Sequence, residues 1–168
     1  WMPARAVIPL GETSVSIPLA PLDNGLVDGT RTVEIRAYVL DSVTGDRLAE
    51  AIAGRFDIVD NDGPALTLTT ALAVVAEGMS PATTGTVTRN VVDAAEPLVV
   101  MLTSSDPGEA TVPATAVIPA HAASAAFDIA TPEDGVGDGN QRVVLRAAAD
   151  GYGRGTTTLV VADRPDPL

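Results

Sequence analysis

An all-β fold built as antiparallel sandwiches is what this chain predicts, and three observations carry that expectation. Apolar residues alternate with polar or small ones in short stretches, turn-forming residues bound each stretch, and no window sustains a helical period. Alternation of period two places one set of side chains on a buried face and the other in water. The 168 residues include 15 Gly and 13 Pro. With the many Thr and Val, these interrupt every window long enough for three helical turns, although Ala is abundant. Short strands separated by turn signals favour an antiparallel sandwich over a parallel sheet with crossover helices.

In chain order, the alternating stretches are SVSIPLA (14–20), RTVEIRAYV (31–39), GRFDIVD (54–60), TGTVTRN (84–90), AAFDIAT (125–131), QRVVLRA (141–147) and TTTLVVAD (156–163). Aromatic residues are only 3% of the chain, so Val, Leu, Ile and Ala must pack the core. The core expected from them is thin, and its stability leans on sheet pairing.

An internal repeat organises the chain. Residues 3–37 laid over 113–147, an offset of 110 without a gap, match at about 14 of 35 positions, the fixed-period self-similarity of an array. PARAVIP (3–9) meets PATAVIP (113–119), Gly25 meets Gly135, Asp28-Gly29 meets Asp138-Gly139, and Arg36-Ala37 meets Arg146-Ala147. The first copy then carries an insertion of about seven residues around DSVTGDRLAEA, after which FDIVDND (56–62) aligns with LVVADRP (159–165). A loop between the last two strands is the expected home of that insertion. Gly63-Pro64 punctuates the boundary. The second copy thus runs over 64–168, and the first, 1–62, is expected to open mid-domain. It should supply about the last four strands of a sandwich, leaving an apolar face and a sheet edge uncovered.

The order AEG (76–78), TGTVTRN, PLVVMLTSSDPGEATVPATAVIPA (97–120), AAFDIATPEDGVGDG (125–139), VVLRAAADGY (143–152) and LVVAD (159–163) closely resembles Calx-β repeats. The resemblance covers essentially all of 64–168 and, in its later portion, 3–62. It implies tandem immunoglobulin-like antiparallel β-sandwiches of about seven strands each, the first incomplete at its N-terminus. It further implies an exported protein at the cell surface or outside the cell, in which such domains serve as spacer, adhesion or interaction modules, with calcium bound in some members.

The acidic residues bear on calcium directly. The ion takes six to eight oxygens, mostly carboxylates and carbonyls gathered on loops. In the second copy Glu77 follows the first strand, Asp106 sits in SSDPG, Glu133 and Asp134 precede the Gly135 turn, Asp138 follows it, and Asp163 ends the last strand. All six fall in connections, where mutual repulsion makes a cation the simplest relief. The resemblance matches Glu77, Glu133, Asp134 and Asp163 to acidic ligand positions, with Asp138 and then Asp106 as looser matches. Arg164 stands where calcium-binding relatives continue a run of acids. The first copy ends Asp60-Asn61-Asp62 and offers Asp23 and Asp28 as partners. Any site of this kind is expected to be weak, with Kd near about 10⁻⁴ to 10⁻³ M.

The bland readings are specific too. Asp-Gly is a tight-turn dipeptide. Ser104-Ser105-Asp106 lacks a base and reads as a turn cap, and Glu77-Gly78 reads as a bend within the first strand. His121, in the place of Gly11, reads as an exposed turn residue. Tyr38 and Tyr152 read as core-rim packing, Trp1 as a cover for apolar surface, and the repeated Arg36 and Arg146 as partners of a strand-end acid.

Several classes are excluded. Ten positive residues, all Arg, against 22 acidic ones leave a net charge of −12, which repels phosphate backbones and disfavours nucleic acid. With no Cys and one His there is no thiol nucleophile, disulfide framework or zinc triad. No nucleophile motif or phosphate loop occurs. The longest apolar run, ALAVVA (71–76), is far short of the roughly 20 residues a spanning helix needs. The expectation is therefore a non-enzymatic structural and interaction module, with neighbouring repeats of the same polypeptide and a protein or glycan ligand as partners. The rival is a carbohydrate- or protein-binding module appended to an extracellular enzyme. Scarce aromatics argue against the carbohydrate form of that rival.

Overall fold

A computed structural model describes residues 5–41 and 43–164, with backbone alone over 50–53. All regular structure among them is β. Trp1, Ser42 and Pro165 lie outside the described residues. The described chain divides into two units, one of residues 5–25 with Gly29–Asp60, the other of Leu26–Asp28 with residues 61–164.

In the second unit, alternation sorts side chains onto two facing sheets. One sheet has five strands, in the order β4 (Val74–Ala76), β10 (Gly155–Ala162), β9 (Gln141–Ala148), β6 (Leu98–Ser104) and β7 (Thr115–Ile118). The other has three, β3 (Leu66–Thr70), β5 (Met79–Arg89) and β8 (Ser124–Thr131). Val100, Leu102, Ile118, Val143, Leu145, Leu159 and Val161 from the first sheet share one core with Leu66, Leu68, Val87, Phe127 and Ile129 from the second. Cross-strand partners fit one another closely within it. Gly85 pairs with Phe127, and a Cβ on Gly85 would stand 2.3 Å from that ring, so the missing side chain is the seat of the aromatic one.

The first unit holds a two-stranded antiparallel sheet of β1 (Arg31–Leu40) and β2 (Arg47–Ile58). Strands appear as expected over 31–39, 54–60, 84–90, 125–131, 141–147 and 156–163, each within a residue or two of an observed strand except where β2 and β5 begin earlier. Alternation had not singled out β3, β4, β6 and β7, which are short or continuously apolar. Four further expectations need correction. Residues 14–20 form no strand, and Val7, matched to Val117 of β7, lies in none. The insertion does not sit in a loop but lengthens the hairpin strands, β1 to 10 residues against 8 in β9 and β2 to 12 against 8 in β10. Pairing is not wholly antiparallel, because β4 runs parallel to β10. Glu77-Gly78 is a turn between strands of different sheets rather than a bend within one.

In the second unit β7 pairs with β6 and β8 with β5, whereas β9 and β10 pair with each other. Of the four aligned stretches in the first unit, only the counterparts of β9 and β10 form strands among the described residues.

What is shared between the stretches is shared in detail. Val33 pairs with Phe56 as Val143 pairs with Leu159, and Arg31 with Ile58 as Gln141 with Val161, both at the aligned positions. Backbone φ is positive at Gly11 and His121, at Gly25 and Gly135, and at Gly29 and Gly139. The Gly29 amide donates to Asp60 Oδ2 at 2.8 Å, and the aligned Gly139 amide donates to Asp163 Oδ2 at 2.9 Å.

Candidate metal centre

Acidic side chains gather where the connections of the second unit meet. The β4–β5 turn is tied to neighbouring elements by its backbone: Glu77 N–H donates to Ala162 O at 3.2 Å, and the Thr131 hydroxyl at the end of β8 donates to Ala76 O at 2.7 Å. The long β8–β9 connection is held by its own acids. Asp134 Oδ1 accepts the Val136 amide at 2.8 Å, and Asp138 Oδ2 accepts Gln141 Nε2 at 2.9 Å. The β6–β7 connection begins with Asp106 Oδ1 accepting the Gly108 amide at 3.0 Å. It closes as the Ala110 amide donates to Asp106 O at 3.0 Å, which turns Glu109 inward.

Glu109 is the centre of the arrangement. It is 6% exposed, and one carboxylate oxygen each from Glu109, Asp134 and Asp138 lies within 4.8 Å of the others. Its Oε2 is buried without a hydrogen-bond partner among the described residues, as is Asp163 Oδ1. A buried carboxylate oxygen of this kind has lost its hydration with nothing in exchange, and a proton or a cation relieves it. Burial, reinforced by the charges of Asp138, Glu77, Asp134 and Asp106, holds the Glu109 carboxyl above its ordinary range. Three carboxylates from two connections, with further acids beside them, form the hard oxygen donor set that suits calcium.

The sequence-derived candidates are placed as follows. Asp134 and Asp138 meet at Glu109. Glu77, 2% exposed, acts on Glu109 through its charge, as does Asp106. Glu77 Oε2 also accepts the Arg164 amide at 3.2 Å. Asp163 is anchored on the Gly139 amide. Glu133 Oε2 and Arg164 Nη1 both lie over Gly78, 2.7 and 3.6 Å from where its Cβ would be, so Arg164 brings a positive charge to the acidic end. Asp23, Asp28, Asp60 and Asp62 assemble no second three-carboxylate set among the described residues. Glu109 itself was not among the candidates. Its only sequence signal is an acid in the PGEA turn beside Asp106, and nothing in that spacing shows which turn residue faces inward.

Other singled-out residues take structural roles. Asp106 N–H donates to Ser104 Oγ at 3.2 Å, a turn cap. His121 is exposed at a positive φ, with Nδ1 2.7 Å from Asp93 Oδ1. Tyr152 packs on the core, whereas Tyr38 carries the Arg47 guanidinium 4.0 Å above its ring. Arg36 pairs with Glu34 of its own strand at 2.6 Å.

No protein-family model and no curated protein matches this chain. Among solved structures, it is similar to the Escherichia coli chaperone DraB, at 14% identity and a TM-score of 0.40, over 60% of this chain and 56% of that one. It is also similar to a glycosyl hydrolase family 2 member from Bacteroides cellulosilyticus, at 8% identity and a TM-score of 0.43, over 77% of this chain and 21% of that one. A third is WR4, a Caenorhabditis elegans MSP family member, at 12% identity and a TM-score of 0.37, over 58% of this chain and 98% of that one. The chain thus spans about half the length of the first of these and a fifth of the second.

Proposed function

We propose that this chain is a non-enzymatic structural and interaction module of an exported tandem-repeat protein, built of Calx-β-type, immunoglobulin-like sandwiches. In this reading the acidic end of the second unit holds a calcium ion. The observation that carries the metal reading is Glu109, a buried carboxylate whose Oε2 is orphaned and one of whose oxygens lies within 4.8 Å of carboxylate oxygens of Asp134 and Asp138. Calcium there would be held by Glu109, Asp134 and Asp138, with Glu77, Asp106 and Asp163 within the same acidic cluster. The ion would replace repulsion with attraction and draw the β6–β7 and β8–β9 connections together. A loop end stiffened in this way transmits load and orientation to a neighbouring domain, which is the use a spacer or adhesion array has for it. The repeated hydrogen bond from Gly29 to Asp60 and from Gly139 to Asp163 supports the tandem reading.

Calorimetric titration of the whole chain with calcium tests the proposal. Saturable binding is expected, weakened at least about tenfold by Glu109→Gln, a loss of roughly 1.4 kcal/mol. Absence of binding, or equal binding by the variant, overturns the metal reading.

A further inference from the structure

Asp-Gly occurs at 28–29, 62–63, 134–135, 138–139 and 150–151, and each such peptide is open to a rearrangement of its own backbone. The glycine amide nitrogen attacks Cγ of the aspartate before it, with no Cβ to screen the approach. As the N–Cγ bond closes into a cyclic succinimide, the amide hydrogen leaves with the carboxyl hydroxyl as water. Water then opens the ring. Opening at Cγ restores aspartate, whereas opening at the main-chain carbonyl leaves the peptide running through Cγ, which is isoaspartate. Neither step needs a co-reactant other than water.

The structure treats these peptides unequally. The Gly139 amide donates to Asp163 Oδ2 at 2.9 Å, and the aligned Gly29 amide donates to Asp60 Oδ2 at 2.8 Å. Each nitrogen is engaged by a carboxylate other than the one it would attack, and the negative charge beside it opposes the loss of the proton that attack requires. Asp150-Gly151 lies instead in the β9–β10 turn, closed by the Tyr152 amide on Ala149 O at 3.2 Å, with Gly151 at a φ of 78°. Both residues are exposed, and no hydrogen bond from the Gly151 amide is present among the described residues. We propose that Asp163 and Asp60 shield the two aligned Asp-Gly peptides from isomerisation, and that Asp150-Gly151 is a site of isoaspartate formation. The shield matters most at Asp138, whose carboxylate meets those of Glu109 and Asp134. Isoaspartate there would move the carboxylate onto Cα and add a methylene to the main chain, pulling the cluster apart. The shield acts with or without an ion in that cluster, so it stands apart from the metal reading. It also gives the repeated pairing of an Asp-Gly turn with an aspartate just beyond the last strand a chemical reason.

The whole chain, aged at neutral pH and physiological temperature, is digested and mapped by electron-transfer fragmentation, which distinguishes isoaspartate from aspartate. Isoaspartate is expected at Asp150 at a rate roughly tenfold or more above that at Asp138 or Asp28, the factor that one hydrogen bond to a charged acceptor is worth in a rate. Asp163→Ala should raise the rate at Asp138 by a similar factor and leave Asp150 and Asp28 as they were, and Asp60→Ala should act at Asp28 alone. A cooperative melt of each variant separates a local effect from unfolding, and the ratio in the unaltered chain decides the matter without either variant. Equal rates at Asp138 and Asp150 in the unaltered chain overturn the proposal. So does a folded Asp163→Ala chain in which Asp138 ages no faster.

Discussion

Arg89 shows how much one buried side chain can organise. It is 3% exposed, and its guanidinium donates to Ala122 O at 3.0 Å, Glu96 O at 3.0 Å, Pro119 O at 2.9 Å and Ala94 O at 3.4 Å. A planar fork of five donors is the side chain that can reach that many carbonyls at once. Arg89→Ala should cost about 3 kcal/mol or more, because several buried carbonyls lose their donor together, and Arg89→Lys should recover less than half; urea unfolding measures both. Glu109 acts in the opposite sense. Its folded pKa lies above that of an ordinary glutamate, so in the window between the two the folded state keeps a proton that the unfolded state has released. Calcium-free stability must therefore fall as pH rises through that window. Glu109→Gln should flatten this slope and raise the calcium-free Tm at neutral pH while weakening calcium binding. A melting series in chelator across acid and neutral pH checks the sign.

At the scale of elements, the β4–β5 turn is where stability and binding separate. Gly78 has φ of 73°, a conformation that a Cβ makes costly, and an added Cβ would meet Glu133 Oε2 at 2.7 Å. Glu133 can swing away, so the lasting penalty is backbone strain of about 1 kcal/mol. Gly78→Ala should destabilise by about that much and also weaken calcium binding, because Glu77 shifts with the turn. Gly85→Ala drives a methyl into the Phe127 ring instead and should cost about 1–3 kcal/mol with calcium affinity unchanged. Thermal melts paired with calcium titrations separate the two variants. The same scale shows what alternation could reveal. Strands with one wet face, such as β8 and β9, were legible from period two. The continuous run of β6 and the brief β4 were not, because both lack a polar phase. Residues 14–20 read as a strand and are not one, since alternation records which side chains seek burial but not whether a neighbour is there to bond.

Across the whole molecule, every residue of the buried apolar core lies at Leu66 or beyond among the described residues. The self-similarity of 3–37 and 113–147 was legible because aligned Gly, Asp and Arg-Ala positions keep their spacing. The acidic end was legible only as a set of loops, since convergence depends on how far each connection reaches, as Glu109 shows. The core's location carries a prediction of its own. Residues 61–168 expressed alone should keep a cooperative transition, because the apolar burial that drives it is intact. They lose Val27, whose amide donates to Asn90 O at 3.0 Å and whose carbonyl accepts the Val92 amide at 3.2 Å. Two backbone hydrogen bonds at about 1 kcal/mol each amount to a drop in Tm of roughly 8–16 °C for a domain of this size, less where water replaces them. Restoring residues 26–28 with the rest of the chain should return the Tm, and Val27→Pro in the full chain, which removes the donor alone, should give about half the drop. Calorimetry on the three proteins decides it. A shortened chain that melts without cooperativity would show that the second unit's core is insufficient by itself.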